Sequence, residues 1–312
     1  MTTATGVNGV LFEPARATDD QAAELRRLVA RAGLRPLPRA EREVLRPAPA
    51  APVIAIASGK GGVGKTTLAV NAAIWLHRRR RTLLVDADLG TANADVLCGL
   101  APSRRLDSEL FRGDGPDLAS LRVTTPWGFG LIPGAAGVAH AAMLDAAQRA
   151  GFIASLHRLG DPGGAVLVDL GAGIAAPVVE SVASADLGVV VTAPEPTALA
   201  DAYALIKCVT RHRGDERPLR IGLVVNMADS RSAGQAAHER IDRVCRRFLG
   251  GAVPLLGVIR RDRRASMAAA SRVPLAAGWP RTAASRDLRR VAEMIGAVTP
   301  RIGRSFARGG QP

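Results

Sequence analysis

Ten consecutive residues constrain this chain more than any others: Ser58-Gly59-Lys60-Gly61-Gly62-Val63-Gly64-Lys65-Thr66-Thr67. An apolar run, Val53-Ile54-Ala55-Ile56-Ala57, precedes them, and a helical pattern from Leu68 to Leu76 follows. Buried strand, glycine loop, then helix opens a βαβ unit. The spacing G-x-x-x-x-G-K-T, met by Gly59, Gly64, Lys65 and Thr66, is that of a phosphate-binding loop. Glycines let successive backbone N–H groups converge on phosphate oxygens, and the helix N-terminus adds positive potential. Of 42 basic side chains only three are lysines, Lys60, Lys65 and Lys207. Lysine is thus nearly confined to this loop, where a slim ammonium enters a crowded phosphate site and a planar guanidinium does not. Lys65 is placed for the β and γ phosphates and Thr66 for Mg²⁺. Gly61, Gly62, Val63 and Thr67 complete the cradle.

Composition narrows the class. Apolar residues make up 47% of the 312, enough for a sizeable core, and aromatics only 3%, so no platform for stacking bases is visible. Cys98, Cys208 and Cys245 lie far apart with no C-x-x-C, which argues against a metal centre or a disulfide framework and for a reducing cytosol. Met1 to Pro14 shows no signal-peptide pattern, and no apolar run is long enough to span a membrane. The formal charge is +14, and residues 251–312 carry 12 basic against 3 acidic side chains. An anionic partner, lipid or nucleic acid, fits that end, as do solvated helix faces.

Three segments follow. Residues 1–51 read as a tethered helix: Thr18-Asp19-Asp20-Gln21 matches a capping box, Leu25, Leu28 and Val29 share a face, and a proline-rich linker follows. Residues 52–298 alternate apolar strands (53–57, 82–86, 129–132, 165–169, 187–192, 219–225, 254–259) with helical stretches (67–79, 141–158, 175–184, 197–212, 231–248, 283–297). Runs such as Ala165-Val166-Leu167-Val168 are apolar on both faces. The expectation is an α/β fold, a doubly wound, mainly parallel sheet with helices on both sides. Residues 299–312 form a basic tail.

Further carboxylates fall where parallel strands present ligands, at their carboxyl ends. Thr82-Leu83-Leu84-Val85-Asp86-Ala87-Asp88 places Asp86 to touch Mg²⁺ through water and Asp88 to face the γ-phosphate. Ala165-Val166-Leu167-Val168-Asp169-Leu170-Gly171 offers Asp169 to a Mg²⁺-bound water and the Gly171 amide to the γ-phosphate. Asn226 closes the run Ile221-Gly222-Leu223-Val224-Val225; it suits an adenine edge, because asparagine donates and accepts in one plane, and equally a turn.

Lys60-Gly61-Gly62-Val63-Gly64-Lys65-Thr66-Thr67 resembles the deviant Walker A box of the MinD/ParA ATPase superfamily. The resemblance implies that Lys60 reaches across an ATP-bound homodimer to the partner's phosphates, as an arginine finger does elsewhere, and that Asp88 orients the attacking water. Asp201 matches an acidic residue that holds the additional lysine in that family. Asp20, Gln21, Ala22, Leu25 and Arg26 fit D-Q-A-x-x-L-R, which resembles the FlhG (FleN, YlxH) branch controlling flagellar number and placement. That likeness covers roughly residues 18–298. It implies ATP and Mg²⁺ as cofactors and a FlhF-type GTPase as partner of the N-terminal helix, with flagellar switch proteins as further candidates. It also implies a cytoplasmic location, peripheral to the membrane where the tail makes a weak anionic contact. Two alternatives stay open. One is a ParA-like partition ATPase using Arg260, Arg261, Arg263 and Arg264 on DNA phosphates. The other is a positioning ATPase of another surface system. Arg261 departs from the proline usual before the aspartate that follows, Asp262.

Overall fold

Strands form where consecutive residues are apolar, so that neither face can look at water. The computed structural model describes residues 51–88, 90–106, 117–135, 145–161, 163–213 and 220–299. The strands are β1 Val53–Ser58, β2 Thr82–Ala87, β3 Val123–Thr124, β4 Gly130–Ile132, β5 Ala165–Ala172, β6 Leu187–Thr192, β7 Ile221–Ala228 and β8 Leu255–Arg260. Their spatial order is β3-β4-β2-β5-β1-β6-β7-β8. Every pairing is parallel except β3 with β4. The expected mainly parallel, doubly wound sheet is therefore present.

Helices cover both faces. They are α1 Lys65–His77, α2 Ala94–Leu97, α3 Ala146–Arg158, α4 Ala176–Ser184, α5 Pro196–Arg213, α6 Arg231–Leu249, α7 Arg263–Ser271, α8 Leu275–Gly278 and α9 Ala283–Val298. Strand periodicity divides β1 between two cores. Val53, Ala55 and Ala57 pack with Phe152, Val182, Leu205 and Ile241 from α3 to α6. Ile54 and Ile56 pack with Leu68, Val70, Leu288 and Ile295 from α1 and α9. Alternate residues of one strand thus glue opposite helix layers to the sheet. The central β1 lies between β5 and β6, and the chain leaves it for β2 on one side and later crosses to β6 on the other. Such a reversal opens a crevice at the carboxyl ends of the strands, where ligands bind in open α/β sheets.

The short edge strand β3 and the short helices α2, α7 and α8 lie outside the sequence expectations. The helix expected over 141–158 is described from Ala146, behind a capping box in which Asp145 accepts from the Gln148 amide. Asp20, Gln21, Ala22, Leu25 and Arg26, and the tail after Thr299, lie outside the described residues.

Candidate functional site

The glycine loop sits in the crevice. Gly64 is the residue before α1, at φ 87°, with no side-chain cap on the helix start. The first N–H groups of α1 consequently have no acceptor from a capping side chain, the arrangement that favours an anion. Alanine at Gly64 would be strained by that φ and would also strike the Asn226 amide. Gly59 is needed for a different reason: a Cβ there would run into the backbone carbonyl of Asp201. The Ser58 hydroxyl donates to the Lys60 carbonyl at 2.7 Å and tightens the turn. Lys65 is buried, whereas Lys60 is exposed.

Strand register brings the carboxylates together. Asp86 on β2 is paired with Asp169 on β5, and both are fully buried. Burial, and repulsion by Asp86, push the Asp169 carboxyl well above the usual range; the Thr66 hydroxyl and the Lys65 ammonium pull the other way. Asp86 is raised too, by burial first and by the nearby Asp88 charge, against three backbone hydrogen bonds. Those bonds come from the amides of Asp88, Asn93 and Ala94, at 3.3, 2.9 and 2.8 Å. Asp86 therefore also shapes the turn that carries Asp88. Neither oxygen of Asp169 has a hydrogen bond of ordinary geometry. A buried carboxylate pair in which the Asp169 oxygens are orphaned and near a threonine hydroxyl fits a divalent cation. Among the described residues no three His, Cys, Asp or Glu side chains gather into a cage. Mg²⁺ takes one or two carboxylates and keeps waters and phosphates, which matches the Asp86, Asp169 and Thr66 donors present here. When bound it would neutralise phosphate charge, held by Thr66 and, through water, by Asp169 and Asp86.

Asp88 is held by the Thr91 amide and hydroxyl at 3.1 and 3.0 Å. Its carboxylate lies beside Gly171, where an added Cβ would be 3.5 Å from it. The Gly173 amide donates to the Ser58 carbonyl at 2.8 Å, so the segment after β5 hangs on the glycine loop. Three stretches far apart in sequence thus converge on one point.

The family model for the CobQ/CobB/MinD/ParA nucleotide-binding domain matches residues 54–275. The chain belongs to this family. Among curated relatives, the antiactivator FleN of Pseudomonas aeruginosa is 37% identical over 78% of this chain and 85% of its own. The flagellum site-determining protein YlxH of Helicobacter pylori is 33% identical, covering 62% of this chain and 64% of that one. Among solved structures, the cell division ATPase MinD of Pyrococcus furiosus superposes with TM-score 0.65 at 26% identity, over 79% of this chain and 99% of that one. MinD of Pyrococcus horikoshii, solved with Mg-ADP, gives TM-score 0.66 at 23% identity over 81% and 99%, a likeness of fold.

Within this MinD/ParA framework several side chains have partners that sequence reasoning did not foresee. The Lys60 ammonium donates to the Thr197 hydroxyl at 2.9 Å. Asp201, the acidic residue expected to hold it, instead sets its backbone carbonyl against Gly59. The Asn226 amide donates to the Val63 carbonyl at 2.8 Å, and its oxygen accepts from the Met227 amide at 2.9 Å. In this state Asn226 braces the loop. Arg261 stands where proline is usual and donates its N–H to the Ala228 carbonyl at 2.8 Å, a bond proline cannot make. Its guanidinium reaches Asp229 and Glu195 at 3.3 and 3.9 Å.

Arg260 is not a free phosphate contact. It grips the buried Asp287 through Nε at 2.7 Å and a second nitrogen at 3.1 Å, and Arg231 and Arg290 meet the same carboxylate at 2.9 and 3.3 Å. Asp262 caps α7 through the Arg264 amide at 3.0 Å. Asp95, just past the Asp88 turn, is buried against Arg105 at 2.6 Å. The signal for these partners was the isolated acid in an arginine-rich stretch; nothing local says which arginine it meets. Cys98 and Cys245 are buried and Cys208 is half-buried.

Proposed function

We propose that this chain is an ATP-hydrolysing MinD-like protein that dimerises on ATP and regulates flagellar number and placement with a FlhF-type GTPase. The observation that carries the catalytic part is the division of labour between two lysines in one loop. Lys65 is buried beside Asp169 and serves its own nucleotide. Lys60 is exposed at the loop mouth, parked on a neutral hydroxyl, and free to reach a second copy's phosphates. Asp88 beside Gly171 would orient the attacking water. Burial around Asp86 and Asp169 shields the metal and its own waters from bulk solvent and leaves the γ-phosphate side open to the partner copy. Asn226 is positioned to exchange its bond to Val63 for one to the adenine edge.

The flagellar assignment is supported by two relatives, an antiactivator and a flagellum site-determining protein, and by the D-Q-A-x-x-L-R segment. The partition reading loses support because Arg260, one of its four phosphate contacts, is engaged with the buried Asp287. We assign residues 1–51 to partner binding, 52–298 to the ATPase domain and 299–312 to a weak anionic membrane contact, which makes the protein cytoplasmic and peripheral. Among the described residues no helix is long and apolar enough to cross a membrane.

Size-exclusion chromatography with ATP and Mg²⁺ tests the core of this reading. Asp88→Ala should dimerise stably and lose about 100-fold or more in turnover; Lys60→Ala should bind ATP yet stay monomeric. A Lys60→Ala protein that dimerises and hydrolyses normally overturns it. For the flagellar part, a peptide of residues 15–34 should raise GTP hydrolysis by the FlhF-type GTPase of the same genome, and Gln21→Ala or Arg26→Ala should reduce the effect. No stimulation by peptide or full chain removes that partner.

A further inference from the structure

Helix α2, Ala94–Leu97, is one turn long, too short to hold its own position. Yet the amides at its start carry a task. The N–H groups of Asn93 and Ala94 both donate to one Asp86 oxygen, at 2.9 and 2.8 Å. Whatever fixes α2 therefore fixes the direction of the Asp86 carboxylate and the turn that carries Asp88. Two contacts fix it. The first is an ion pair. Asp95, on α2, is 1% exposed, and neither of its oxygens has a hydrogen bond of ordinary geometry. Among the described residues its charge is met by Arg105, at 2.6 Å. The same Arg105 nitrogen donates to the Gly134 carbonyl at 3.3 Å. Arg105 is itself fastened to that stretch: the Leu106 amide donates to the Pro133 carbonyl at 2.7 Å, and the Ala135 amide to the Leu106 carbonyl at 3.0 Å. The second contact is steric. A Cβ on Gly134 would lie 2.6 Å from the Asp86 carbonyl oxygen and 2.7 Å from the Ala92 Cβ. The loop leaving β4 thus presses on the turn at both of its ends.

We propose that Arg105 is a positioning residue for the metal side of the nucleotide site, acting through Asp95 and Gly134 on Asp86 and the Asp88 turn. The inference rests on the Mg²⁺-dependent ATPase reading and names residues one step removed from the reacting groups. The alternative is a pair that only stabilises the fold. A buried ion pair is weak evidence for stability, since well-packed apolar side chains of similar volume do as well. What the pair supplies, and apolar packing does not, is direction. One guanidinium nitrogen shared between a carboxylate and a carbonyl fixes where α2 stands. The α2 amides then hold Asp86 in place toward Asp169, its register neighbour on β5. Removing a partner that orients a metal-holding group in this way costs about 10–100-fold in metal affinity or activity.

The test is the Mg²⁺ dependence of nucleotide binding, measured on the full chain with a fluorescent ADP analogue. In wild type, Mg²⁺ should tighten binding. In Arg105→Gln the Mg²⁺ concentration that gives half of this tightening should rise at least about tenfold. Affinity in excess EDTA, which reports the phosphate loop alone, should be unchanged. Arg105→Lys should restore most of the Mg²⁺ response, because one ammonium nitrogen can replace the one guanidinium nitrogen that makes both contacts. Gly134→Ala, which pushes on the same turn with Arg105 intact, should reproduce the loss. Arg105→Gln/Asp95→Asn leaves no buried charge unpaired; it should show the same loss, and it decides the matter should the single variant fail to fold. A glutamine variant, single or double, with the wild-type Mg²⁺ response overturns the proposal even where its melting temperature has fallen, because the pair is then structural only. An equal loss of affinity in EDTA overturns it too. A wild type whose affinity ignores Mg²⁺ overturns the metal reading and this inference with it, and that failure shows without any variant.

Discussion

Replacing Thr197 by valine removes the hydrogen bond that the Lys60 ammonium makes among the described residues and keeps the side chain's shape. The bond is 2.9 Å from an ammonium to a hydroxyl, and bonds to charged groups are worth about 1.5–3 kcal/mol when shielded. Both residues are exposed here, so solvent competes and about 0.5–1 kcal/mol is the fair magnitude. If the lysine must leave Thr197 to reach the partner's phosphates, each protomer gives up that bond on dimerising. Two protomers then give up about 1–2 kcal/mol, and Thr197→Val should tighten the ATP dimer by about 5- to 30-fold. Sedimentation velocity with ATP and Mg²⁺, in an Asp88→Ala background that stops turnover, measures it; Thr197→Ser should behave as wild type. A weaker dimer would show that the hydroxyl serves the assembled state instead, and an unchanged one that Lys60 is not restrained in the monomer. Either result refutes a latch.

Two other outcomes follow from ion pairs and backbone bonds. Asp287→Ala frees three arginines that remain partly solvated, so the cost should lie near the low end for breaking a buried pair, about 3 kcal/mol. Thermal unfolding of the nucleotide-free protein should show a fall of about 6–12 °C, and an unchanged midpoint would mean the cluster contributes nothing net. Arg261→Pro deletes the N–H bond to Ala228 and both contacts of the guanidinium, a loss of about 1–2 kcal/mol, while ATP hydrolysis persists because Asp262 still caps α7. Turnover lost in a folded Arg261→Pro protein would contradict that separation.

Much of this fold can be read from runs such as Val166–Val168 and Val189–Val191, because a strand apolar on both faces has one destination, between helix layers. The loop from Gly59 to Thr67 was legible for a related reason: its glycines and lysines act on neighbours only a few residues away. What escaped depends on partners distant in sequence. Thr197 and Asp201 are equally plausible anchors for Lys60 until α5 is placed, and its first turn then brings the hydroxyl, not the carboxylate, to the ammonium. Arg260 reads as a phosphate contact until Asp287, 27 residues on, is found buried under it. The helices α7 and α8 are short, and short segments have little periodicity to detect.

The two-residue strand β3, running against its neighbour at the end of an otherwise parallel sheet, has a consequence for assembly. A long bare edge of β-structure invites another chain to add on, and then another, without limit. Here that edge is a stub of reversed polarity, able to offer few bonds to a newcomer. Association through a two-fold nucleotide face closes on itself. Where copies meet through that face, as proposed, the β3 margin adds no further route to association, and the longer β8, Leu255–Arg260, is the one margin of the described sheet left able to pair.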